Sequence, residues 1–128
     1  MATPTLFSII ESSGHPNASE FYRSIGVKET KINSMRKAIA AVKKQPPDFI
    51  VAEFFYGYGN NYAGVNISNL DVLLCSMQKY APETKMIVLV QPDEYKYVDK
   101  LNEIIKLHDI LKLPVSPKQL NESLTRER

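Results

Sequence analysis

Four short, largely apolar runs constrain this chain more than any other feature: Leu6–Ile10, Phe49–Ala52, Met86–Val90 and Ile110–Leu113, interrupted only by Ser8 and Lys112. Each is four or five residues long, and most of their side chains are β-branched or aromatic. A strand with one wet face alternates apolar and polar residues. An apolar run without that alternation reads as a strand buried on both faces, as in a parallel sheet covered by helices. The runs are also far below the ~20 residues that a membrane-spanning helix needs.

The segments between the runs carry helical spacing. Asn17 and Ser19 are candidate caps for a short helix bearing Phe21, Tyr22 and Ile25, and Gly26 supplies a left-handed stop. A weak strand is expected at Thr30–Asn33. Ser34 caps a second helix that turns Met35, Ala38, Ile39 and Val42 inward, and Pro46-Pro47 ends it. A third helix is expected from about Ser68 to Tyr80, with Leu70, Leu73, Leu74 and Met77 on one face. A fourth is expected over about Asp93–Leu107, with Val98, Leu101, Ile104, Ile105 and His108 on one side. A fifth begins at Pro117 and buries Leu120 and Leu124.

The order is therefore a strand followed by a helix, five times over. The expected fold is α/β: a flavodoxin-like, doubly wound, five-stranded parallel sheet in order 2-1-3-4-5 with five helices, a three-layer sandwich. At 128 residues, one domain spanning 1–128 is expected, and five such units fill that length. The single cysteine, Cys75, excludes an internal disulfide framework; it reads as a core or half-buried thiol on the third helix. Net charge is only +2, too little for a strong nucleic-acid footprint. The N-terminus lacks the charged and apolar regions of a secretory signal, so a cytoplasmic location is expected, with no membrane association. No GxGxxG or GxxxxGK[ST] follows the first strand, so no nucleotide or flavin cofactor is expected.

Several passages resemble the receiver domains of response regulators, of the kind exemplified by the chemotaxis regulator. PPDFIVAEFF (46–55) is similar to their third strand, KMIVLV (85–90) to their fourth, and DILKLPVSPKQL (109–120) to their fifth strand and the turn into the last helix. The resemblance implies phosphoryl transfer onto an aspartate at the end of the third strand. An acid pair after the first strand would help hold Mg²⁺, and a Thr or Ser and a Lys would bind the phosphoryl oxygens. Carried over position by position, those sites change character here. The acceptor position is Glu53 and the acid pair is Glu11 and Ser12. The hydroxyl position is Val90, the lysine position is Leu113, and Pro114 remains. Lys112 is a poor substitute because adjacent strand residues point to opposite faces. Ile110 stands where many relatives carry an aromatic. The pocket is thus expected to be degenerate, with no catalytic residue and no metal; Glu11 and Glu53 are the only candidates to meet a cation.

The expected function is a stand-alone receiver-like interaction module in signal transduction, independent of phosphorylation and not an enzyme. Its partner would be another signalling protein or a second copy of itself, meeting it through the fourth helix, fifth strand and fifth helix. Two alternatives stay open: an atypical phosphoacceptor using Glu53, or a flavodoxin-like small-ligand sensor or enzyme, for which Ser12 with Glu53 is the one conceivable pair. The segment FFYGYGNNY (54–62) holds five of the chain's twelve Phe and Tyr residues. Tyr56, Tyr58 and Tyr62 there, with Tyr95, Lys96, Lys100 and Lys112, are the candidate partner surface; the alternative expectation is that the loop's aromatics plug the pocket. His15 and His108 lack companions at ligand spacing and are read as structural.

Overall fold

The computed structural model describes residues 3–57 and 68–126. Five strands, β1 (Thr5–Ile9), β2 (Lys28–Ile32), β3 (Phe49–Glu53), β4 (Lys85–Val90) and β5 (Asp109–Lys112), form one sheet in the order β2-β1-β3-β4-β5. All four neighbouring pairs are parallel. The intervening helices are α1 (Ser19–Ser24), α2 (Met35–Lys44), α3 (Asp71–Tyr80), α4 (Tyr95–Val98) and α5 (Pro117–Thr125). The expected fold class and strand order are thus realised. Each strand lies within a residue or two of its expected place, the edge strand β2 starting earlier than Thr30. Among the described residues, no helix is long and apolar enough to cross a membrane.

Burial on both faces divides the core into two layers. Ile50 and Ala52 of β3, with Met86, Val88 and Val90 of β4, pack against Ala38, Val42, Leu73, Leu74, Met77 and Val98. Phe49 and Val51, with Ile87 and Leu89, pack against Tyr22, Leu120 and Leu124 on the side of α1 and α5. β3 has every residue buried, Glu53 included. This is the reason its sequence shows no alternation.

Local signals account for most of the helix ends. Ser34 Oγ accepts from the Lys37 amide at 3.1 Å. Ser116 and Gln119 form a capping box around Pro117 at the start of α5. Gly26 takes the expected left-handed φ of 80°. The cap of α1 falls instead at Ala18, with no side-chain bond; Asn17 only accepts from the Ser19 amide at 3.3 Å. α3 starts later than expected, because Ser68–Leu70 form a turn held by Ser68 and Asp71.

Three expectations need correcting. The fourth helix is not continuous over 93–107. α4 is four residues long and lies between two 3₁₀ segments, Pro92–Glu94 and Asp99–Glu103. The Asn102 side chain donates to Asp99 O at 3.3 Å and accepts from the Leu107 amide at 3.0 Å, so it captures backbone groups that a longer helix would use. His108 does not lie on the fourth helix. It leads into β5, is 5% exposed, and its Nε2 lies 2.7 Å from Ser123 O of α5. Cys75 is exposed, on the outer face of α3 beside Val72.

Two substitutions test this account. Ile50→Ala opens a cavity in the fully buried centre of the sheet and is expected to cost about 2–5 kcal/mol. Ser116→Ala removes one cap and is expected to cost about 1 kcal/mol. Urea unfolding of the two variants beside the parent chain measures both.

Candidate functional site

Glu53 closes β3 at the carboxyl end of the sheet, where ligands of such folds bind. Only 2% of it is exposed. A carboxylate taken out of water needs donors, and the turn between β1 and α1 supplies them. The amides of Glu11 and Ser12 donate to Glu53 Oε1 at 3.2 and 3.1 Å. The Ser12 hydroxyl donates to Oε2. Ser12 Oγ in turn accepts from the Gly14 amide at 3.1 Å, which fixes the hydroxyl's direction. Both carboxylate oxygens are therefore engaged by the chain itself.

Asn69 locks the other side of this end. Its Nδ2 lies 2.7 Å from Glu11 Oε1 and 2.9 Å from Glu53 O, and its Oδ1 accepts from the Phe55 amide at 2.7 Å. One amide side chain thus ties the acid after β1 to the exit of β3. Partial burial raises the Glu11 carboxyl above its ordinary value; the Asn69 bond lowers it and the nearby Glu53 charge adds to the rise.

Sequence reasoning missed His15. Its side chain is 2% exposed and its Nδ1 lies 3.7 Å from Glu53 Oε1. That nitrogen is buried with no hydrogen-bond partner. Burial lowers the imidazole below its ordinary value, while the negative charges of Glu53 and Glu29 pull it up. Glu29 belongs to an adjoining polar cluster, where it accepts from Ser8 Oγ at 2.5 Å and Ser19 Oγ at 2.6 Å. The Tyr22 hydroxyl is raised above its ordinary value by burial, then by the Glu29 charge. His15 stands only three residues after Ser12, and that proximity was the one signal in the sequence. A histidine therefore does lie at the strand ends, against expectation. It contacts the carboxylate and not the Ser12 hydroxyl, so Ser12, Glu53 and His15 are not in the order of a nucleophile activated by a base.

The other expected pocket residues are placed differently. Val90 is fully buried in the layer facing α2, α3 and α4, whereas Glu53 turns to the β1–α1 turn. Leu113 is buried in the layer facing α1 and α5, and its amide donates to Val90 O at 2.8 Å. Its peptide bond to Pro114 is cis. Neither Val90 nor Leu113 offers a side-chain donor toward Glu53. Among the described residues no group of three His, Cys, Asp or Glu could hold a metal ion. The Mg²⁺ implied by the resemblance does not fit this donor set: Ser12 replaces one acid, and the oxygens of Glu53 face amides and a hydroxyl.

The candidate partner surface is partly assembled. Tyr56, 43% exposed, stacks on Tyr97 with ring centroids 3.7 Å apart and planes 12° apart. Its amide donates to Glu94 Oε1 at 3.2 Å. Lys112 Nζ lies 4.4 Å from the ring centroid of the exposed Tyr95, and Lys96 Nζ 5.3 Å from that of Tyr97. Lys112 thus points away from the Leu113 side, as strand alternation requires. Lys100 is exposed nearby in sequence. Phe54 is buried in the core and not in the pocket. Tyr58 and Tyr62 lie outside the described residues.

Two outcomes follow. Glu53→Ala leaves three donors without their acceptor and is expected to destabilise the fold by about 1–3 kcal/mol in chemical unfolding. A pocket dominated by repulsion between Glu11 and Glu53 would instead gain stability. His15 sets a pH dependence. In the unfolded chain it takes up a proton near pH 6.5, and in the folded chain only at lower pH. Its contribution is complete above pH 6.5 and is lost as pH falls below that value. His15→Asn should remove this loss when matched unfolding curves are compared on the two sides of pH 6.5. Glu11 acts in the opposite sense, with stability lost as pH rises from about 4.5.

No family model matches the sequence, and no curated protein matches it. Solved structures do. A CheY-like receiver domain protein from Methanospirillum hungatei JF-1 superposes with a TM-score of 0.73 at 11% identity, over 96% of this chain and 91% of that one. The signal receiver domain of a modulated diguanylate cyclase from Desulfovibrio desulfuricans G20 gives 0.70 at 10% identity, with 96% and 91% covered. A response regulator from Thermotoga maritima gives 0.68 at 17% identity, with 96% and 95% covered. At these identities the likeness is one of fold, and the fold of this chain is that of a response-regulator receiver domain.

Proposed function

We propose that this chain is a receiver-like protein-interaction module in signal transduction that works without phosphorylation. The observation that carries this reading is the saturation of Glu53. Its two oxygens accept three hydrogen bonds from the β1–α1 turn. Attack on a phosphoryl group would require breaking these bonds, at roughly 1.5–3 kcal/mol for each bond to a charged group. No cation would replace them, and neither Val90 nor Leu113 could hold the transferred group. What the fold retains is a rigid scaffold. Partner binding is assigned to the surface of the exposed Tyr56 and Tyr95 and the half-buried Tyr97, with Lys96 and Lys112, because rigid rings desolvate at small entropic cost. The partner is a second signalling protein or a second copy of this chain.

Incubation with acetyl phosphate and Mg²⁺ followed by intact-mass measurement tests the first half. No phosphoryl increment is expected. A stable increment that disappears in Glu53→Gln would establish the atypical phosphoacceptor instead. For the second half, sedimentation equilibrium of the parent and of Tyr56→Ala is informative. If the module self-associates through this surface, the variant should weaken the dimer by about tenfold or more, as for a central aromatic contact.

A further inference from the structure

We propose that the groove between β2 and α2 is a second docking site, for an acidic peptide segment that inserts one apolar side chain. This goes beyond the α4–β5 surface and does not depend on it. The charge of the chain is unevenly spread. Residues 30–47 contain Lys31, Arg36, Lys37, Lys43 and Lys44 and no Asp or Glu, so all 14 acids lie outside this stretch. These five cations are exposed, and among the described residues none is ion-paired. The acid on β2, Glu29, is turned to Ser8 and Ser19 and does not line the groove.

The groove is an open depression with a volume of about 630 Å³. Ile10, Ile32 and Ala41 give it an apolar lining, and Thr30, Lys31 and Lys37 a polar one. The apolar part suits a buried aliphatic side chain, and Lys37 suits a carboxylate beside it. A nucleic acid strand would instead need a track of cations matching its phosphates. Lys43 and Lys44 stand at the far end of a ten-residue helix from Lys37's first turn, and the groove does not include them. β2 is the sheet edge and carries Lys28 and Lys31.

Fluorescence anisotropy with a labelled peptide, one leucine flanked by glutamates, tests the proposal on the full chain. Binding is expected to weaken as salt rises. It should fall about tenfold in Lys37→Glu, and by a similar factor when glycine replaces the peptide's leucine. Lys37→Glu places an acid in the first turn of α2, which favours the helix, so loss of binding would not reflect unfolding. Ala41→Leu, which fills the groove, should also abolish binding, whereas Lys96→Glu on α4 should not alter it. The proposal is overturned if the glycine peptide binds equally well, if Lys37→Glu changes nothing, or if no binding occurs. Tighter binding to single-stranded DNA or to phosphatidylglycerol vesicles would also overturn it, by assigning the face to those anions.

Discussion

Glu53 ends β3 with its carboxylate out of water, and the β1–α1 turn is wrapped around it. Burial alone would make that charge costly, by several kcal/mol even after relaxation. Two amides and a hydroxyl offset the cost, and they come from residues that β1 must deliver to the right place. Parallel pairing does this: Ile9 lies opposite Ala52, so Glu11 and Ser12 emerge just beyond Glu53. Asn69 completes the tie from the start of the third helical segment. Three chain segments thus meet at the end of β3.

On the reading proposed above, that arrangement lets a receiver fold persist while its chemistry changes. In a receiver the acidic end of the sheet is a centre of like charge that a cation must neutralise. Here backbone dipoles and a serine take that role, and His15 fills the space beside the carboxylate. The strand ends form a structural clamp around Glu53. The stacked Tyr56–Tyr97 pair and the basic β2–α2 groove lie on different parts of the sandwich, which is compatible with two contacts on one small scaffold.

The sheet was legible in the sequence because β3 and β4 are buried on both faces, and Phe49–Ala52 and Met86–Val90 therefore had to be apolar without interruption. Strand order followed from the repeated strand–helix succession, and most helix ends from Ser34, Gly26 and Pro117. The fourth helix was not legible: the periodicity of Val98, Leu101, Ile104 and Ile105 is helical, yet the Asn102 side chain takes the backbone groups. In the site, Glu11, Ser12 and Glu53 were found because they follow strands directly. His15 and Asn69 were not, since each reaches the site through a loop whose path only the tertiary structure fixes. Cys75 was misplaced for the same reason, its exposure depending on which way its helix turns.

Amide hydrogen exchange at Glu11 and Ser12 tests the clamp most directly. Both amides lie beyond the last residue of β1, so outside the clamp they have no ladder partner. The account predicts slow exchange at both in the parent chain and fast exchange in Glu53→Ala, with Ser8 and Ile9 of β1 still protected. Fast exchange of Glu11 and Ser12 in the parent chain itself would contradict it.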